Sequence, residues 1–166
     1  MLFVNQIGEI VHNVVDSYSG APNKNIGDAF LLVWKFDEKD IVREPSGELF
    51  LMQTTRVQQL ADMALISFLK IISGIKKSRK LLRYKENPAL NARIPNYSIK
   101  MGFGLHVGWA IEGAIGSFYK IDASYLSPNV NMASRLEAAT KQFGVQLLIS
   151  GQLFIVLTES AQQHMR

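Results

Sequence analysis

The chain contains no cysteine among its 166 residues. That excludes a disulfide framework, a thiolate nucleophile and any Cys-ligated zinc or iron–sulfur centre, and it points to a reducing, cytosolic setting. Long apolar runs are missing too. The longest candidate, Met63 to Ile75, is broken by Ser67, Lys70 and Ser73, so nothing approaches the about 18 consecutive apolar residues of a membrane span. The opening Met-Leu-Phe-Val has neither the basic stretch nor the small-residue cleavage site of a secretion signal. Histidine is scarce: His12, His106 and His164 fall in separate segments without ligand spacing, which leaves a zinc site or a serine-hydrolase triad without support. Charge is sparse as well. Only 19% of residues are charged, against roughly 25% in ordinary soluble domains, which leaves surface for a partner or for parts of a longer polypeptide. Hydrophobic residues, at 48%, suffice for one compact domain with a sizeable core.

The net charge of +4 has a local origin. Lys76, Lys77, Arg79, Lys80, Arg83 and Lys85 lie within ten residues that include no acid. Such a band suits phosphate, acidic lipid or nucleic acid, or is simply a solvated helix end. A nucleic-acid surface interleaves aromatic residues for stacking, and only Tyr84 lies in the band, so no nucleic-acid partner is expected.

Periodicity orders the chain. Phe3, Ile7, Ile10, Val11, Val14 and Tyr18 recur at helical spacing and stop before Gly20 and Pro22. A hairpin follows, with its tip at Gly27-Asp28 and an apolar run from Ala29 to Trp34. Residues 37 to 48, with Pro45-Ser46-Gly47, read as a loop. Val57, Leu60, Ala61, Ala64, Leu65, Phe68, Ile71 and Ile72 mark a second helix with Thr54 or Thr55 as its cap. The basic band and the stretch through Pro88 and Pro95 read as a long connection. From 98 to 109 strict alternation predicts a strand, with a partner strand over Ala110 to Ile115 and then a loop. Ser127-Pro128 opens a helix that Gly144 ends, and a strand over Val145 to Ile149 and a short helix from Ser150 complete the chain. This order predicts an α+β fold with helices on one side of a largely antiparallel sheet.

Two segments carry chemistry. In Lys24-Asn25-Ile26-Gly27-Asp28 a carboxylate at a hairpin tip is rigid yet open, as a hard cation such as Mg²⁺ requires, although a lone Asp in a turn is commonly structural. Within Ser124 to Glu137, Asn131 and Arg135 stand four apart and so share one helix face. An amide and a guanidinium together can orient a ribose and offset charge on a phosphoryl group. The glycines of Gly102-x-Gly104-x-x-x-Gly108 lie inside a strand pattern rather than opening a helix; they admit a close backbone or a ligand rather than form a dinucleotide fingerprint.

Together these segments resemble the class III adenylate/guanylate cyclase catalytic domain, in a form similar to those of ciliates and other protists. The resemblance runs over nearly the whole chain. It rests on the Lys24 to Asp28 hairpin, on Gly104-Leu-His-Val-Gly108 with Gly113 and Gly116, and on Val-Asn-Met-Ala-Ser-Arg-Leu-Glu from 130 to 137. It implies a ferredoxin-like nucleotidyl cyclase fold over residues 1–166 as a single domain. The implied activity converts ATP or GTP to the 3′,5′-cyclic monophosphate and pyrophosphate, with Mg²⁺ or Mn²⁺ as cofactor, in a homo- or heterodimer that shares its sites. By the same resemblance Asp28 binds metal, Lys24 and Ser124 bind the base, Asn131 orients the ribose and Arg135 stabilises the transition state. A lysine donates to adenine N1 but cannot accept from guanine N1–H, so ATP is expected over GTP.

Departures are equally specific. The family's first metal-binding aspartate belongs to a strand upstream of the opening helix, and the final strands of the family are missing at Arg166, so the expectation is a domain truncated at both ends. Gln146 stands where some members carry a triphosphate-binding lysine, and Ser127-Pro128 replaces a Gly-containing turn. A catalytically silent module for dimerisation, assembly or regulation is therefore the alternative function. The expected location is cytoplasmic, alone or as the cytosolic domain of a larger protein, with membrane contact only through parts outside this chain.

Overall fold

The computed structural model describes residues 2–95 and 97–165. Helix α1 (Leu2–Ser17) turns Ile7, Val11 and Val15 inward at four-residue spacing, and it ends just before Gly20, where a Cβ would collide with the Trp34 indole at 2.5 Å. The chain then enters the antiparallel hairpin of β1 (Ala21–Ile26) and β2 (Ala29–Val33). Its tip is Gly27, whose φ of 65° favours glycine.

Residues 37–48, expected to be a loop, hold more structure than that. A 3₁₀ turn over Glu38–Asp40 leads to β3 (Ile41–Arg43), which pairs antiparallel with β4 (Leu49–Leu51) around the Pro45-Ser46-Gly47 turn. Arg56 holds this insert by donating to both Asp37 and Asp40, and its guanidinium keeps the Asp37 carboxyl below the usual carboxylate range. Helix α2 (Thr55–Lys77) starts where the Thr54 hydroxyl accepts from the Val57 amide at 3.3 Å. It lays Val57, Ala61, Ala64, Leu65, Phe68 and Ile71 against α1 and the strands.

The expected long connection after α2 is also helical. Ser78 caps α3 (Arg79–Lys85), and Asn87 caps α4 (Pro88–Arg93), in which Pro88 occupies the first turn. Each cap satisfies amides that a short helix would otherwise leave orphaned.

The strand expected over 98–109 pairs only over β5 (Phe103–Leu105), which runs parallel to β8 (Leu147–Ile149). The partner expected at 110–115 belongs instead to a separate hairpin, β6 (Ile111–Ser117) with β7 (Lys120–Leu126). The alternation is real but reflects packing on two sides. Phe103 and Leu105 enter the core, while a Cβ on Gly104 would come within 2.3 Å of the Ala133 carbonyl of α5 (Pro128–Phe143). The glycines therefore admit a helix backbone. Helices α6 (Gly151–Val156) and α7 (Glu159–Gln163) close the chain.

The result is a mixed α+β fold in which three of the four described ladders are antiparallel. Phe68 sits at the centre of the core, its ring 5.8 Å from that of Trp34 and 5.4 Å from that of Phe103. Among the described residues β2 and β5 each have one hydrogen-bonded neighbour. Between them lies a cavity of about 180 Å³, lined by Leu31, Val33, Leu105 and Val107 among others.

Candidate active site

Lys24 sits on β1 just past an irregularity in the register between Pro22 and Lys24. β1 runs beside β7, where the Asn23 amide donates to the Ala123 carbonyl at 3.4 Å. This neighbourhood carries Lys24 to Ser124, and Nζ donates to the serine Oγ at 2.6 Å. Ser124 is only 7% exposed. A lysine presented to a buried hydroxyl leaves two of its N–H donors for a ligand, and the hydroxyl retains its own proton and a lone pair.

A second contact fixes β7. Lys35, just beyond β2, donates to both carboxylate oxygens of Glu112 at 2.6 Å, and the Tyr125 hydroxyl donates to Glu112 at 2.9 Å. The hydrogen bond from Lys35 holds the Glu112 carboxyl below its usual range, and the same bond raises the lysine. Burial is the main cause of the raised Tyr125 hydroxyl. Tyr125 adjoins Ser124 in β7, so this strap ties down the strand that carries the serine. No sequence signal marked it: Lys35 and Glu112 lie far apart in the chain and in no motif.

Helix α5 is pinned at its start. The Ser127 hydroxyl accepts from the Asn129 amide at 2.9 Å and donates to the Trp109 carbonyl at 2.6 Å. Asn129 donates to the same carbonyl at 2.8 Å, and its Oδ1 meets His106 Nε2 at 3.0 Å. Gly108 makes room, since a Cβ there would lie 2.4 Å from the Asn129 amide carbon. Asn131 and Arg135 follow within this anchored helix, both exposed. The Ser127-Pro128 cap was legible in sequence, whereas Asn129 and His106 as its positioning partners were not.

Asp28 stands exposed at the β1–β2 tip. The structure brings Lys24 and Ser124 together, but among the described residues no hydrogen bond or ion pair joins Asp28, Asn131 or Arg135 to any other side chain. Nor do the described residues gather three or more His, Asp or Glu side chains into a metal-binding group. One open carboxylate does not fit a two-cation centre. The cavity between β2 and β5 is lined by none of these residues.

The model of the adenylate and guanylate cyclase catalytic domain matches residues 1–165, and the chain belongs to that family. An adenylate cyclase of Anabaena cylindrica is 40% identical over 52 residues, which are 31% of this chain and 10% of that protein. Adenylate cyclase 1 of Rhizobium meliloti (strain 1021) is 39% identical over 49 residues, 30% of this chain and 7% of that protein. The matched part is thus a small share of either relative. Among solved structures, a bacterial light-regulated adenylyl cyclase superposes with a TM-score of 0.64 at 29% identity, covering 95% of this chain and 38% of that one. The adenylyl cyclase CyaB from P. aeruginosa shares the fold, with a TM-score of 0.61 at 19% identity over 93% of this chain and 66% of its own.

Proposed function

We propose that residues 1–166 form a single cyclase domain that contributes the base-reading and charge-stabilising half of an active site shared with a second such domain, making 3′,5′-cyclic AMP and pyrophosphate from ATP. The observation that carries this reading is the 2.6 Å contact of Lys24 with Ser124 across 100 residues of sequence. Two remote positions matching the family's base-binding pair share one hydrogen bond. Lys24 Nζ donates to adenine N1, and the Ser124 oxygen accepts from the exocyclic amine; guanine offers N1–H where the lysine needs an acceptor. In the reaction the ribose 3′-hydroxyl loses its proton and its oxygen bonds to the α-phosphorus as the bond to pyrophosphate breaks. Asn131 holds the ribose, and Arg135 offsets charge growing on the α-phosphoryl oxygens.

Exposure supports sharing between domains. Asn131 and Arg135 are exposed, and the β6–β7 hairpin ends in Phe118 and Tyr119, 96% and 93% exposed, an apolar tip suited to burial against a second domain. A Mg²⁺ or Mn²⁺ requirement would belong to the assembled site, with further carboxylate supplied by another polypeptide segment. Among the described residues β2 and β5 each keep one edge without a strand, and such a segment would pair there, beside the hairpin that bears Asp28.

The silent-module reading has one observation in its favour, the single carboxylate. Titration of the chain with ATP and GTP separates the two. The cyclase reading expects ATP to bind about tenfold more tightly, with Lys24→Glu reversing the order. GTP binding as tightly or more tightly, unmoved by Lys24→Glu, contradicts it.

A further inference from the structure

The basic band at 76–85 has no part in the proposed site, and the structure gives it a shape. Helix α3 turns Leu81 into the core at 1% exposure. Tyr84 turns inward on the same side, its ring edge-on to Phe3 with centroids 4.8 Å apart. Helical spacing then places Arg79, Leu82 and Arg83 on the opposite, outward face, with Leu82 44% exposed between the arginines. Lys76 and Lys77, both exposed, precede α3 in the last turn of α2. Among the described residues one acid touches the band, Glu9, 3.6 Å from Lys80.

Helix stabilisation accounts for part of this charge. Cations at the ends of α2 and α3 complement the helix dipole, but Arg79 and Lys80 stand in the first turn of α3, where a cation opposes it; among the described residues Glu9 reaches Lys80 and no acid reaches Arg79. Their presence points to an external anion. The exposed group among the cations is aliphatic, and the single aromatic of the band is packed away. That disfavours base stacking and suits a bilayer surface, where arginines reach the headgroups while a leucine enters the acyl boundary.

We propose that the outward face of α3, continued by the end of α2, docks on an anionic lipid bilayer. Membrane contact then does not depend solely on parts outside this chain, as the sequence had led us to expect. Among the described residues no helix is long and apolar enough to cross a membrane, so the contact is peripheral. Each basic residue near an anionic surface strengthens binding roughly fivefold, and the effect is screened by salt.

The test is co-sedimentation of the full 166-residue chain with phosphatidylcholine vesicles containing roughly one-third phosphatidylserine, against phosphatidylcholine alone. The expected result is binding to the anionic vesicles only, weakening as salt rises. Arg79→Glu with Arg83→Glu should lower binding at least about twentyfold, and Leu82→Ser several-fold, with unchanged thermal unfolding because all three side chains are exposed. No binding to anionic vesicles, equal binding to neutral ones, indifference to the double reversal, or displacement of the vesicles by a single-stranded RNA oligonucleotide at equal charge concentration would each overturn the proposal.

Discussion

The proposed base-reading and phosphate-facing parts of the candidate site differ in how they are held. Lys24 and Ser124 close on each other within the chain, under a strap from Lys35, Glu112 and Tyr125. Asp28, Asn131 and Arg135 stand on firmly anchored elements, yet their side chains are exposed and, among the described residues, bond to no other side chain. The difference is what the proposed divided site requires. A group that discriminates between bases gains from being oriented beforehand, whereas a group that meets a triphosphate and a second polypeptide must stay open until both arrive.

Substitutions sharpen this contrast. The largest effect on stability belongs to the core that supports the closed part. Phe68→Ala removes the ring between Trp34 and Phe103 and should cost about 3–5 kcal/mol, read from denaturant unfolding. A loss under about 1 kcal/mol would mean that the core is not built around it. Gly104→Ala comes next. Its Cβ would meet backbone atoms of Ala133 and Glu137 at 2.3 and 2.5 Å, neither of which can rotate away, so about 1–3 kcal/mol should be lost. Asn131→Ala, on the open side, should leave the unfolding midpoint almost unchanged, within about 0.5 kcal/mol. A larger shift would place that asparagine in the scaffold. The smallest effect concerns pH. Because Glu112 has a folded-state value below its ordinary one, its ionised form contributes stability above the unfolded value, and that contribution fades as pH falls through the folded value. Lys35→Ala should move the Glu112 titration upward in a pH series of NMR spectra, and an unmoved titration would show the strap to be loose in solution.

Much of the fold was legible because its signals are local. The caps at Thr54 and Ser127, the Gly27-Asp28 turn and the Gly144 stop all sit where the sequence put them. The pairing of β5 was not, since alternation records burial on two faces and says nothing of neighbours: β8 is three residues long and, among the described residues, β5 has no other strand beside it. The β6–β7 hairpin was hidden for another reason. Its tip is Phe118-Tyr119, without the Gly, Asn or Asp that announces a turn. Helices α3 and α4 are too short for periodicity to show and are set by caps and packing. Motif resemblance named the candidate residues, but the strap from Lys35 to Glu112 and the anchoring of α5 through Asn129 and His106 are contacts between distant segments, carried by no motif.

The central claim, that this chain holds one half of a shared cyclase site, is tested most directly by mixing. A second cyclase protomer that retains its metal-binding aspartates, with the asparagine and arginine corresponding to Asn131 and Arg135 disabled, is combined with the 166-residue chain, and cyclic AMP is measured. Each alone should produce little, and the mixture should be active. Arg135→Ala in this chain should lower that activity about a hundred- to a thousandfold, as removal of one preorganised charge-stabilising donor does. Association of the two chains without any cyclic AMP, or activity indifferent to Arg135→Ala, would contradict the account and leave the silent module in its place.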